Sequence, residues 1–229
     1  MVPKSNYLLL IWKDPETRRN YTVGKLTRGD CFTFQYYGEA ENAEEAGWKL
    51  LGAFPTYQEY RSNTMFPVFS SRLPDKKRRD IQNILEKYGL MEYDEFELLR
   101  RSGARLPIDT YEFIDPISPD DKEVTREFYI TGIRYHSACQ GSDCGALPGV
   151  KVGDMLLLEE EPENAYDPMA IRVLTQEKDV LGYVPRYYNK AILARLHDGM
   201  GYFCKITEVN ANMRNCSECL KARLTMPGT

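Results

Sequence analysis

The sequence predicts an α+β fold in two domains, and three observations lead there. The beginning of the chain alternates apolar and polar residues at strand spacing, and a pair of helical periodicities follows. Beyond Ile117 come short strands punctuated by Gly and Pro. A length of 229 residues is enough for two domains, each large enough to form its own core. The expected domains are 1–118 and 122–229. They meet at Ile117-Ser118-Pro119-Asp120-Asp121-Lys122, where turn formers and charge replace apolar periodicity.

Taken in order, Tyr7 to Trp12 reads as a buried strand, followed by a turn at Asp14-Pro15-Glu16-Thr17. Asn20 to Leu26 and Cys31 to Tyr36 alternate about Arg28-Gly29-Asp30, which makes an antiparallel meander. Glu41 to Leu51 is acidic at its start and amphipathic, either a short helix or an irregular excursion. Phe66 to Asp75 leads into a helix whose apolar residues Ile81, Ile84, Leu85 and Tyr88 recur at helical spacing, with Gly89 as its stop. A second helix begins at Asp94 and stops at Gly103, and a strand around Thr110 to Ile114 closes the domain.

The basic run Lys76-Lys77-Arg78-Arg79 would sit in the first turns of the first helix, where cations oppose the macrodipole. It reads either as a site for an anionic partner or as a solvated face balanced by Asp75, Asp80 and Glu86.

In the second half, a strand from Phe128 ends in Arg134-Tyr135-His136. Another, Met155 to Leu158, is joined to Ala170-Ile171-Arg172-Val173 through a loop carrying Pro162, Asn164, Tyr166, Asp167 and Pro168. The two prolines fix φ, and Asn and Asp bond the local backbone, so the loop is stiff enough to present Tyr166 to a ligand. Alternatively it is a well-capped strand connection. A further strand, Val180-Leu181-Gly182-Tyr183-Val184, leads to Pro185 and Arg186.

Composition limits the function classes. With 42% hydrophobic and 28% charged residues the chain is that of an ordinary globular protein, enriched in aromatics by 16 tyrosines. The net charge of -4 argues against a sequence-independent nucleic-acid coat driven by counterion release, so any such site must be local. The sequence has no apolar run of membrane-spanning length, and its start lacks the pattern of an export signal. A cytoplasmic location without a membrane partner is expected. The chain contains no phosphate loop of the Gly-x-x-x-x-Gly-Lys-Ser/Thr type, no Gly-x-Ser-x-Gly turn and no His-Glu-x-x-His helix, and its two histidines supply little imidazole chemistry. No enzymatic activity and no catalytic residue are expected.

Six cysteines in such a compartment are not expected to form structural disulfides. Cys31 and Cys204 fall in strand patterns and read as core residues. Cys139 and Cys144 follow the Arg-Tyr-His segment, and Cys216 and Cys219 occupy the turn of the final hairpin. These four read either as a tetrahedral structural zinc site or as free thiols.

The order of motifs in the second half, Gly-x-Arg-Tyr, then Leu-x-x-Glu-Pro-x-Asn-x-Tyr-Asp-x-x-Ala-Ile-x-Val, then Leu-Gly-Tyr-Val-Pro-Arg, resembles the HIRAN domain over about Glu123 to Met226. The resemblance implies a small β-barrel related to the OB fold that holds the free 3′ end of single-stranded DNA. It implies no zinc. The DNA-binding residues it implies are Arg134, Tyr135, His136, Asn164, Tyr166, Asp167, Tyr183 and Arg186. Stacking aromatics and cations for phosphates are what sequence-tolerant binding of a single strand requires.

The meander, Phe-x-x-Phe-x-x-x-Leu-Pro-Asp, the basic helix and Asp-x-Phe-x-Leu-Leu resemble the N-terminal subdomain of HipA-type serine/threonine kinases over about Tyr7 to Pro116. That module precedes the kinase core, or stands alone as a small protein that restrains it. Where the family often carries a Gly-rich Val-Gly-Ala segment, this chain has Arg101-Ser102-Gly103-Ala104-Arg105-Leu106-Pro107. The resemblance implies a HipA-like kinase core as partner, contacted through a surface including Phe66, Phe69, Leu73 and Asp75. Together the two resemblances suggest a bacterial toxin-antitoxin or defence component of antitoxin type. The alternative is a DNA repair or processing accessory factor that brings a helicase or nuclease to 3′ ends.

Overall fold

The computed structural model describes residues 5–136, 149–210 and 218–227. They fall into two compact units, Ser5–Pro116 and the residues from Ile117 onward.

The N-terminal unit is a five-stranded antiparallel sheet of order β4-β3-β2-β1-β5. Its strands are β1 (Tyr7–Lys13), β2 (Asn20–Arg28), β3 (Phe32–Tyr36), β4 (Tyr60–Ser62) and β5 (Tyr111–Ile114). The β1–β2 turn is held by Asp14, whose carboxylate accepts from the Glu16 N–H at 2.9 Å and from the Thr17 hydroxyl. The excursion after β3 begins as a helix, α1 (Ala40–Glu45), and α2 (Pro67–Ser70), α3 (Ile81–Lys87) and α4 (Glu95–Ser102) precede β5. Helix α4 has the clearest local signals. Asp94 caps it by accepting from the Glu97 N–H at 3.0 Å, and Gly103 ends it in the left-handed region at φ 69°.

An aromatic core fills this unit. The Phe34 ring lies 4.4 Å from that of Phe54 and 5.1 Å from that of Phe69, and Phe69 meets Phe113 at 5.0 Å. Phe66 joins the cluster at 5.1 Å from Phe54. Two of the four expected partner contacts, Phe66 and Phe69, are therefore core residues at 7% and 1% exposure. Leu73 packs partly against the core, and Asp75 is exposed, accepting from the Lys77 N–H at 2.8 Å.

The basic run is also displaced from its expected place. Lys76 to Arg79 lie before α3, which starts at Ile81, rather than in its first turns. Asp75 diverts the backbone into a turn, and Arg78 pairs with Asp80 at 2.8 Å.

The C-terminal unit contains β6 (Val124–Tyr129), α5 (Ile133–His136), β7 (Leu157–Glu160), β8 (Ile171–Leu174), β9 (Val180–Tyr183), α6 (Arg186–His197), β10 (Phe203–Val209) and β11 (Leu220–Met226). The strands form two three-stranded sheets, β10-β11-β6 and β7-β8-β9. Two isolated bridges stitch them together. Thr131, just past β6, pairs with Tyr183 of β9, and Met155, just before β7, pairs with Lys205 of β10. The ring thus runs β6, β11, β10, β7, β8, β9 and returns to β6, closed at these two bridges rather than along whole strands.

Three local expectations differ from this arrangement. The strand does not continue through Arg134-Tyr135-His136, because Gly132 takes φ 74° and the chain turns into α5. Cys31 lies in the bend before β3 rather than inside a strand. Helix α6 was not expected at all. It buries Tyr188, Ile192 and Leu193, and Arg195 and His197 in its last turn complement the macrodipole.

The segment at the junction is tied to the C-terminal unit. Asp121 accepts from the Ser118 N–H at 2.9 Å and pairs with Arg126 at 3.3 Å, while Arg195 of α6 donates to the Ser118 carbonyl at 2.7 Å.

Candidate nucleic-acid interface

The β7–β8 connection builds most of the site from its own backbone. Asn164 Oδ1 accepts from the N–H groups of Tyr166 at 3.0 Å and Asp167 at 3.1 Å, which is the Asx-type bonding that stiffens a turn. Asp167 Oδ1 accepts from the Met169 N–H at 2.9 Å, and the base of the loop is closed by Glu161 N–H to Ala170 carbonyl at 2.9 Å. With the backbone held this way, the Tyr166 side chain is free to face solvent, and the residue is 93% exposed.

Helix α5 contributes a second aromatic. Tyr135 is 71% exposed, with the Arg134 guanidinium 4.7 Å from its ring centroid and donating to its hydroxyl at 2.6 Å. His136 sits 5.3 Å from the Tyr183 ring. Gly132 makes this crowding feasible, since a Cβ there would stand 3.2 Å from Tyr183 Cδ2.

Glu161 joins the two parts. Its Oε2 accepts from Asn164 Nδ2 at 2.6 Å, Arg172 lies 3.7 Å from Oε1, and its carboxylate interacts electrostatically with the Tyr183 phenol. The Asn164 hydrogen bond, aided by the Tyr183 phenol, holds the Glu161 carboxyl below its ordinary range against a smaller opposing effect of burial. Burial, reinforced by Glu161, raises the Tyr183 phenol, which therefore stays neutral.

At the other end of the loop, Asp167 Oδ2 accepts from Asn189 Nδ2 at 3.0 Å and lies 3.8 Å from Arg186 Nε. The structure thus connects Asn164 and Tyr183 through Glu161, sets His136 against Tyr183, and brings Asp167 beside Arg186. Arg134 and Tyr135 adjoin His136 on α5. Glu161 and Asn189 were not singled out from the sequence. Glu161 is hidden in an acidic run, and Asn189 has no signal until α6 puts it on the same face as Arg186, three residues earlier.

The expected zinc ligands Cys139, Cys144 and Cys216 lie outside the described residues, and the fourth, Cys219, is fully buried. Among the described residues no cluster of His, Cys, Asp and Glu has the makings of a metal site. Cys204 in β10 is buried, and burial pushes its thiol up to about 12. No helix among the described residues is long and apolar enough to cross a membrane.

Exposed tyrosines stack bases, guanidinium groups attract phosphates, and a carboxylate held by neutral donors accepts a hydroxyl. A small closed barrel bearing such a loop defines a class of compact binding module. The comparisons specify the class further: residues 124–221 match the family model of the HIRAN domain, and residues 18–107 match that of the HipA N-terminal domain. The chain therefore carries a HipA N-terminal domain followed by a HIRAN domain.

Two solved structures are similar to the chain. The crystal structure of the HIRAN domain of human HLTF is 17% identical, with 47% of this chain and 80% of that chain covered and a TM-score of 0.36. The crystal structure of a protein from Lactobacillus plantarum is 24% identical, with 45% of this chain and 96% of that chain covered and a TM-score of 0.36. No curated protein matches the sequence.

Proposed function

We propose that the C-terminal unit holds the free 3′ end of single-stranded DNA, and that the N-terminal unit binds and restrains the catalytic core of a HipA-like serine/threonine kinase. On this reading the protein performs no chemistry of its own and acts as an antitoxin-like component of a bacterial toxin-antitoxin or defence system. The observations that carry the DNA half are the exposure of two tyrosines, Tyr135 and Tyr166, and the setting of Asp167, whose two carboxylate oxygens are each held by a neutral N–H donor. Tyrosine faces suit bases of any sequence. The carboxylate repels a terminal phosphate and accepts a terminal hydroxyl. The match of residues 18–107 to the HipA N-terminal domain supports the kinase half.

Binding of short single strands ending in 3′-hydroxyl or 3′-phosphate tests the first half, with tighter binding of the hydroxyl end expected. Equal affinity for both ends, or no binding, overturns it. Co-purification with neighbouring gene products tests the second half. A HipA-like kinase core that is lost on deleting the N-terminal unit supports it, whereas recovery of a helicase or nuclease instead favours an accessory factor in DNA processing.

A further inference from the structure

Asn189 lies in α6 with 3% of its surface exposed. Its Nδ2 donates to Asp167 Oδ2 at 3.0 Å, and its Oδ1 is buried without a hydrogen-bond partner. The amide orientation follows from chemistry, because the reverse assignment would press two acceptors together. An orphaned acceptor in the interior is unfavourable, and an aliphatic side chain, such as Leu193 one turn further on, fills space without that penalty. Packing therefore does not account for an asparagine here. Its bond to Asp167 does.

Three groups converge on the Asp167 carboxylate. The Met169 N–H on Oδ1, at 2.9 Å, comes from the loop itself and travels with it. Arg186 Nε stands 3.8 Å from Oδ2, beyond hydrogen-bonding reach. The Asn189 bond comes from a helix 22 positions away in sequence, so it anchors the carboxylate to the barrel rather than to its own loop. A neutral donor adds no charge of its own to the pair that Asp167 already makes with Arg186. A lysine or arginine at position 189 would add a second cation beside the carboxylate and favour a terminal phosphate.

We propose that Asn189 is a positioning residue that fixes Asp167 to receive a terminal hydroxyl and so sets the preference for an unphosphorylated 3′ end. The proposal rests on the reading of the C-terminal unit as a 3′-end-binding module. The Asn189 amide holds one lone pair of Oδ2 and leaves the others to an incoming O–H. Without it, the carboxylate loses its tie to α6 and the hydroxyl meets a less ordered acceptor.

The test uses the full chain and fluorescent oligothymidylates ending in 3′-hydroxyl or 3′-phosphate, with folding checked by thermal melts. Asn189→Leu keeps the branched outline of the side chain, with some added bulk, and removes the donor. The ratio of affinities for the two ends should fall about fivefold or more. Asn189→Asp is nearly isosteric and sets two carboxylates against each other, which share a proton as pH falls. Its affinity for hydroxyl-ended strands should be weak at pH 8 and recover toward pH 5.5 more steeply than that of the wild type, a profile that a space-filling role would not produce. A wild-type preference left unchanged in folded Asn189→Leu, or Asn189→Asp tracking the wild type across pH, overturns the role of Asn189 alone. A wild type without end preference overturns the 3′-end reading and this role with it.

Discussion

Gly182 of β9 lies against Thr131 so closely that a Cβ on Gly182 would stand 2.3 Å from the Thr131 carbonyl oxygen and 2.9 Å from Ile130 Cγ2. The contact is part of the closure of the ring, because Thr131 and Tyr183 exchange backbone hydrogen bonds of 2.9 and 2.8 Å beside it.

Gly182→Ala should therefore destabilise the C-terminal unit by about 3 kcal/mol or more, since both the clash and the backbone at φ 154° oppose a side chain. Gly199→Ala is the control. That glycine also has a positive φ, 79°, but nothing lies within 4 Å of its Cβ position, so its cost should be about 1 kcal/mol. Denaturant titration followed by a probe in the C-terminal unit reads both values.

Tyr135→Ala and Tyr166→Ala should each weaken binding of a single strand by roughly 1 to 3 kcal/mol, the usual loss for one stacking platform. Because both side chains face solvent, the melting transition should move by no more than about 0.5 kcal/mol in stability terms. Fluorescence anisotropy combined with thermal melts separates the two effects. Loss of fold together with binding would show that the rings support the loop instead.

Asp167→Ala should weaken binding of hydroxyl-ended strands by roughly 1.5 to 3 kcal/mol, about tenfold or more, and should affect phosphate-ended strands less. Equal losses for both ends would mean that Asp167 serves only to cap Met169.

The Glu161 carboxyl has a folded-state value below that of the unfolded chain, so its contribution to stability is complete above the ordinary value of 4.5 and disappears as pH falls through the lower folded value. Acidification should release Asn164 and Tyr183 together. Tyr183→Phe removes the phenol and should move the Glu161 titration upward, toward 4.5, in a side-chain NMR experiment. An unmoved titration would argue against the contact.

The parts legible in the sequence are those built from short-range interactions. The alternation of β1 to β3, and the cap and stop of α4 at Asp94 and Gly103, each lie within one element and its flanks. The loop from Glu161 to Ala170 was legible for the same reason, since Asn164 bonds neighbours two and three residues away. Residues Ile130 to His136 carry β-branched and aromatic side chains that suit a strand, and only the backbone reversal at Gly132 reveals the helix. For Phe66 and Phe69 the local pattern does not separate a partner surface from core, and β3 and β5 decide it by bringing Phe34 and Phe113 onto Phe69, with Phe54 from the intervening loop against Phe66. The Asn189–Asp167 bond spans 22 positions and requires α6 to be in place, so no local pattern announces it.

The clasp on Ser118 changes how the chain should be dissected. Composition puts a spacer at 117–122, and a cloner following it would begin the second half after Lys122. That cut would discard the Ser118 carbonyl that receives Arg195 and the Asp121 carboxylate that receives Arg126, leaving the buried Arg195 guanidinium and the half-buried one of Arg126 without those partners. Ile117 is itself buried. An excised C-terminal half that keeps these contacts starts upstream of the spacer, at or before Ile117, so the seam between the halves belongs to the second of them.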